Sequence, residues 1–161
     1  MKPPTPGAWL RAGISRDGGP LLENEHVVWL QAGDRYADSR GFAGVTVHED
    51  GLVRFHHDVG EPGEDVGRLE RAAGGDMTES GTNPDGSTFH EVWTPLPGSQ
   101  GPCGAWRLGP VQVVRVGRYV VHVDEHGGSF FTLPDEQGGG FFASPDEQGG
   151  SFFPLPDDDR G

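Results

Sequence analysis

Glu91 stands between Phe89 and Trp93 in "TFHEVWT", at the alternate spacing that puts all three side chains on one side of a strand. A carboxyl group in such company is costly to ionise, so its pKa rises toward the range where it can serve as general acid or base. The same alternation groups Val53, Phe55 and His57 in "LVRFHHD", Trp29 with Val27 and Gln31 in "HVVWLQ", and Met77 with Glu79 in "MTESG". His57 is a second natural proton shuttle. In "RYADSR", Tyr36, Asp38 and Arg40 share a side, and a phenol with a guanidinium can orient a substrate or hold a developing oxyanion.

Short strands must position these groups. Long helical periodicity is missing, Gly and Pro recur throughout, and the apolar residues fall in brief alternating runs rich in Val, Phe, Trp and Tyr. The pattern predicts strands at Ala8 to Ile14, His26 to Gln31, Arg35 to Arg40, Ala43 to Glu49, Leu52 to Asp58, Asp65 to Arg71, Met77 to Gly81, Thr88 to Thr94, Val111 to Val116 and Arg118 to Asp124. Turn chemistry joins them: "EDG" before Leu52, "AGGD" before Met77 and "NPDG" before Ser87 each place Gly where a tight turn wants it. About ten sequential antiparallel strands with short loops would leave two aggregation-prone edges, and closure removes them. The expectation is one all-β domain, an up-and-down barrel of about eight to ten strands over residues 7 to 126, after an extension of residues 1 to 6.

Which faces point inward decides the chemistry. Around Phe55 and Phe89 the opposite faces carry Arg54, His56, Asp58 and His90, which suit water, so His57, Glu91 and Glu79 go inward with the aromatic residues. For Tyr36, Asp38 and Arg40 two placements stay open: the polar floor of a cavity, or a solvated face with Ala37 and Ser39 turned inside. For His57, Glu79 and Glu91 the structural alternatives are a satisfied core histidine, a turn-pinning carboxylate and an ion pair with an arginine.

Composition narrows the partners. The formal net charge is −13, and residues 124 to 161 hold nine carboxylates against Arg160. No cluster of Lys or Arg exists to release counterions from nucleic acid or to bind an anionic membrane, so neither partner is expected. Lys2 is the only lysine, which argues against Schiff-base chemistry in a pocket, and Cys103 in "GPCGAW" reads as a turn thiol that cannot pair within the chain. Neither His122, Asp124 and His126 in "HVDEH" nor His56, His57 and Asp58 matches an established metal spacing, so no metal and no cofactor is expected. The start "MKPPTPGAWLRAG" has no apolar leader run and no segment reaches transmembrane length, which points to a soluble, cytoplasmic protein.

After Asp124 the chain becomes "GGSFFTLPDEQ", "GGGFFASPDEQ" and "GGSFFPLPDDD", three units of 11 residues that with Arg160 and Gly161 make up a tail of 127 to 161. Paired glycines and a proline in every unit oppose a helix, and so few apolar residues cannot make a core. The expectation is a disordered or loosely docked tail, with its Phe pairs free to dock on the barrel or on a second copy in a homo-oligomer.

Gly7-Ala8-Trp9 opening the first strand, followed by a meander ending in an arginine-bearing strand, resembles the calycin pattern of lipocalin-type barrels. The resemblance implies that Trp9 packs at the closed end against a late-strand arginine, Arg115 or Arg118. It also implies a carrier of small hydrophobic ligands, whereas small barrels of similar shape include cofactor-free enzymes that work with Tyr, Arg and Glu. The ionisable interior favours the enzyme: a cofactor-independent lyase, dehydratase, isomerase or cyclase acting on a small organic molecule. Glu91, His57, Tyr36, Arg40 and Asp38 would be catalytic, and Trp29, Gln31, Phe55, Glu79, Phe89 and Trp93 would bind the substrate. The alternative is a lipocalin-like carrier without catalysis.

Overall fold

A computed structural model describes residues 7–134 and the backbone of residues 151–154. The fold is all-β. Eight strands, β1 Gly7–Arg16, β2 Val28–Ala32, β3 Arg35–Asp38, β4 Phe42–Glu49, β5 Leu52–Gly60, β6 Gly63–Arg71, β7 Met77–Thr82 and β8 Thr88–Pro95, form a closed antiparallel barrel in sequence order. Closure comes from β8 pairing with β1, Thr94 opposite Leu10 and Phe89 opposite Arg16. The turns follow the local chemistry: Asp50 and Gly51 both take positive φ, 54° and 78°, the pairing that a tight β4–β5 hairpin requires.

Closure after eight strands leaves the later strands outside the barrel. β9 Cys103–Leu108, β10 Val111–Val116, β11 Tyr119–Asp124, β12 Gly127–Thr132 and β13 Ser151–Pro154 form a second sheet in the order β12-β11-β10-β9-β13. The two late strands expected in the wall, Val111 to Val116 and Arg118 to Asp124, are therefore β10 and β11 of this sheet. Arg115 lies on β10 and Arg118 in the β10–β11 turn, neither of them on a barrel strand.

The second sheet exists because one stretch of barrel wall is apolar on both sides. Every residue of β2 is buried: Trp29 faces the barrel interior with Val27, while Val28, Leu30 and Ala32 face out. Those outward side chains, with Ala8, Ala37, Ala43 and Val59, pack against Val114, Val116, Val121 and Val123 of the covering sheet. Small residues on the wall and β-branched ones on the cover let two sheets approach closely. Gln112 adds a polar tie: its amide donates to Tyr36 O at 2.9 Å and Gly44 O at 3.1 Å, and its side-chain oxygen accepts from Arg35 at 3.2 Å.

Two local expectations change. Cys103 is not a turn thiol; it opens β9 opposite Val116, where Gly104 and Ala105 are small enough to be buried against the wall. The first tail unit supplies β12, which satisfies the backbone edge of β11 from Tyr119 to Asp124. The remaining tail, residues 135–150 and 155–161, and the extension of residues 1–6 lie outside the described residues. Among the described residues, no helix is long and apolar enough to cross a membrane.

Candidate functional site

A cavity of about 200 Å³ opens at the barrel end where β1 finishes and β2 begins. Its depth is aromatic: Trp29, Tyr36, Phe55 and Trp93 line it, with Trp29 edge-on to Phe55 and to Trp93 at 5.4 Å in both cases. Phe42 and Phe89 lie nearer the mouth. Arg16, Asp65 and Asn83 form an exposed polar rim.

Cross-strand register places two carboxyl groups face to face. Glu79 on β7 is the direct partner of Glu91 on β8, both are buried, and both line the cavity. Like charges directly opposite on a sheet repel, so the pair is stable when one member carries a proton. Glu91 is the ion-paired member: Arg11 Nη1 lies 2.9 Å and Arg40 Nη1 3.6 Å from its Oε2. Among the described residues, no arginine lies within ion-pair distance of Glu79. Burial, then the charge of Glu91, raise the Glu79 pKa well above the ordinary carboxyl value. Glu79 is therefore the member of the pair favoured to hold a proton, and Glu91 is the member held by arginine.

Neighbouring backbone makes room for this pair. On β6, Gly67 leaves the space that the Glu79 side chain occupies. On β1 the register shifts between Arg11 and Gly13, a bulge that changes which residues face inward. Before it, alternation from Trp9 brings Arg11 inward; after it, Ile14 and Arg16 reach the cavity. Arg11 was not foreseen as a site residue. Alternation with Trp9 was the available signal, but the interior arginine needed a buried acidic partner that only the β1–β8 pairing identifies. Glu23 and Glu25, from the connection after β1, complete the set around Arg11 at 2.8 and 3.4 Å. Burial works against the Arg11 charge, but hydrogen bonds from it to Glu23 and Glu91 keep its pKa above the ordinary value.

The β2–β3 hairpin resolves the placement left open above. Gly33 (φ 64°) makes the turn, and Trp29 then pairs with Asp38 and Gln31 with Tyr36. Tyr36 and Asp38 line the cavity, and Ala37 is turned to the second sheet, so neither face of β3 is solvated. Arg40 at the mouth is clamped by Asp38, Nε to Oδ1 at 3.0 Å and Nη2 to Oδ2 at 2.8 Å, and sits over the Phe42 ring. Burial opposes its charge and Asp38 more than offsets that, so its pKa is raised. Among the described residues, the Tyr36 hydroxyl is buried without a hydrogen-bond partner, as is the Trp93 indole nitrogen. Burial, then Asp38, push the Tyr36 pKa up, so it stays a neutral phenol.

Of the expected catalytic set, Glu91, Tyr36, Arg40 and Asp38 meet at the cavity, and so do Trp29, Phe55, Glu79, Phe89 and Trp93 of the expected binding set. His57 and Gln31 point to the barrel interior but are not among the residues that line the cavity. His57 stacks on Phe42 at 4.3 Å, with one ring nitrogen 3.0 Å from Asp65 and the other 3.2 Å from Glu61 O. Gln31 accepts from the Trp29 indole at 3.0 Å and donates to Thr46 at 2.8 Å and to Gly33 O at 2.9 Å, which fixes the indole rather than meeting a ligand. Asp65 and Phe42 were not anticipated on the lining. Among the described residues, no group of three His, Cys, Asp or Glu side chains is gathered to hold a metal ion. Comparison with known protein families, curated proteins and solved structures finds no match to this chain.

Proposed function

We propose that this protein is a cofactor-independent enzyme that moves protons on a small organic molecule held in the barrel, a lyase, dehydratase, isomerase or cyclase. The observation that carries the reading is the Glu79–Glu91 pair at the cavity wall, one carboxyl buried without an arginine and raised in pKa, the other ion-paired. A carboxyl group raised in proton affinity by burial, beside one held by arginines, is a usual basis for assigning acid and base roles. Glu79 is the general acid and Glu91 the base, with Arg11 and Arg40 fixing the Glu91 carboxylate. The Tyr36 hydroxyl, lacking a partner among the described residues, is left to bond a polar atom of the substrate. Asp38 positions Arg40, and His57 positions Asp65 at the rim.

The closed eight-stranded antiparallel barrel supports the calycin-like resemblance. It also supports the second reading, a lipocalin-like carrier, which the aromatic half of the lining favours. Deuterium exchange separates the two. Small aromatic ketones and amines with acidic C–H bonds are incubated with the protein in D2O and followed by mass spectrometry. Catalysed wash-in that disappears in both Glu79→Gln and Glu91→Gln, with the fold intact by circular dichroism, is the expected result. Saturable tryptophan quenching with no exchange in any compound would instead establish a carrier.

A further inference from the structure

Charge around the cavity is unevenly matched. Four carboxyl groups line it, Asp38, Asp65, Glu79 and Glu91, against two arginines, Arg16 and Arg40. Asp38 has Arg40, Glu91 has Arg11 and Arg40, and Asp65 has His57. Among the described residues, Glu79 has no arginine or histidine within ion-pair distance; it stands opposite Glu91, 5% exposed, in the aromatic chamber. Arg11 and Arg40 are already committed to carboxylates, which leaves an anionic ligand Arg16, at the exposed rim, as its counter-ion among the lining residues, and repulsion from the carboxyl groups farther in. Indole, phenol and phenyl faces present the negative side of their quadrupoles to a centred cation. The Tyr36 hydroxyl, buried and without a partner, has lone pairs to accept from an N–H donor.

We propose that the ligand of this cavity is an organic cation, a protonated amine on an aromatic or alicyclic body, whose ammonium group supplies the positive charge that Glu79 lacks. The ammonium sits between Glu79 and the Tyr36 hydroxyl, and its apolar body packs among Trp29, Phe55 and Trp93. Binding the cation releases the Glu79 proton to solvent, so one positive charge enters as one leaves and the chamber's net charge is unchanged; on such a ligand Glu79 acts as general acid after taking a proton back from the ammonium. The charged groups facing Glu79 are Glu91 on β8, Arg40 beyond β3 and Asp65 on β6. This inference rests on the same cavity being the working site, but it concerns what binds there and is read without turnover.

Three probes of one shape decide it: 2-phenylethylamine, 2-phenylethanol and phenylacetate, titrated into the full chain by calorimetry near neutral pH. The expected order is amine first by at least tenfold over the alcohol, with phenylacetate weakest. Repeating the amine titration in buffers of different ionisation enthalpy should show close to one proton released per amine bound, and none for the alcohol. In Glu79→Gln the amine should lose its tenfold advantage and its proton release, while the alcohol binds as before. An amine that binds no tighter than the alcohol, binds without releasing a proton, or does not bind overturns the inference. Preference for the alcohol would do so while leaving Glu79 free to act as the general acid proposed above.

Discussion

Gly67 on β6 and Glu79 on β7 share one space: a methyl group built at residue 67 would stand 2.8 Å from both Cγ and Oε2 of Glu79. The acid of the carboxyl pair is thus seated by the absence of a side chain on the neighbouring strand. Replacing Gly67 by Ala should displace the Glu79 carboxyl from Glu91 and cost about 1–3 kcal/mol through overpacking. Chemical denaturation measures the cost. Catalysed deuterium exchange should fall with it, and a fully active Gly67→Ala protein would show that the seat is unimportant.

Glu79 also sets a pH dependence. Its folded-state pKa is raised above the ordinary 4.5, chiefly by burial and then by Glu91. Above that value the unfolded chain loses the proton while the folded one keeps it. Folding stability attributable to Glu79 therefore falls as pH rises, until the folded-state pKa is passed. Glu79→Gln keeps a donor toward Glu91 and cannot ionise, so this component should vanish. Urea midpoints from mildly acidic to alkaline pH should slope less steeply downward in the variant than in the wild type; parallel profiles would argue against a proton held by Glu79.

Arg11 ties three carboxylates to β1 with a side chain only 1% exposed. Arg11→Met leaves Glu91 with the more distant Arg40 alone, and breaking a buried pair of this kind costs about 3–5 kcal/mol. Glu91→Gln should cost less, because Arg11 retains Glu23 at 2.8 Å. Equilibrium denaturation of the two variants tests this ordering; a larger loss for Glu91→Gln would contradict it.

Tyr36→Phe removes a buried hydroxyl that has no partner among the described residues. An unsatisfied group of this kind carries a desolvation penalty of about 1–3 kcal/mol, so the variant should be as stable as the wild type or more so. If the hydroxyl serves the ligand, affinity for 2-phenylethylamine should nonetheless drop. Thermal unfolding together with calorimetry reads both effects in one variant, and a destabilised protein would mean that the hydroxyl is bonded within the fold.

Gln112 couples the second sheet to the wall that carries Tyr36. Its amide serves two barrel carbonyls, Tyr36 O and Gly44 O. Gln112→Leu should destabilise the protein by about 2 kcal/mol, since two buried acceptors lose their donor. Hydrogen exchange should quicken in β3 and β4 ahead of β6 and β7, and uniform acceleration would place the tie elsewhere.

Strand period two is a local property, and it was enough to send Phe89, Glu91 and Trp93 inward together and to bind Tyr36 and Asp38 to a single fate. Turn residues such as Asp50-Gly51 marked where strands reverse, and the absence of helical periodicity marked the class. What alternation cannot supply is the partner across the gap. That Glu79 faces Glu91 depends on the β7–β8 register, and that Arg11 reaches Glu91 depends on β1 closing against β8, 80 residues away in sequence. The bulge after Arg11 breaks the count that would have found Ile14 and Arg16 on the lining. The covering sheet was hidden for a related reason: β9 begins among Gly and Pro residues that read as loop, and a wall buried on both sides looks like a choice between two faces until something covers the second. Residue identity therefore determined which groups could do chemistry and which sides they share. Tertiary structure alone decided which carboxyl has an arginine and which keeps a proton, because proton affinity depends on neighbours and burial that strands distant in sequence bring together.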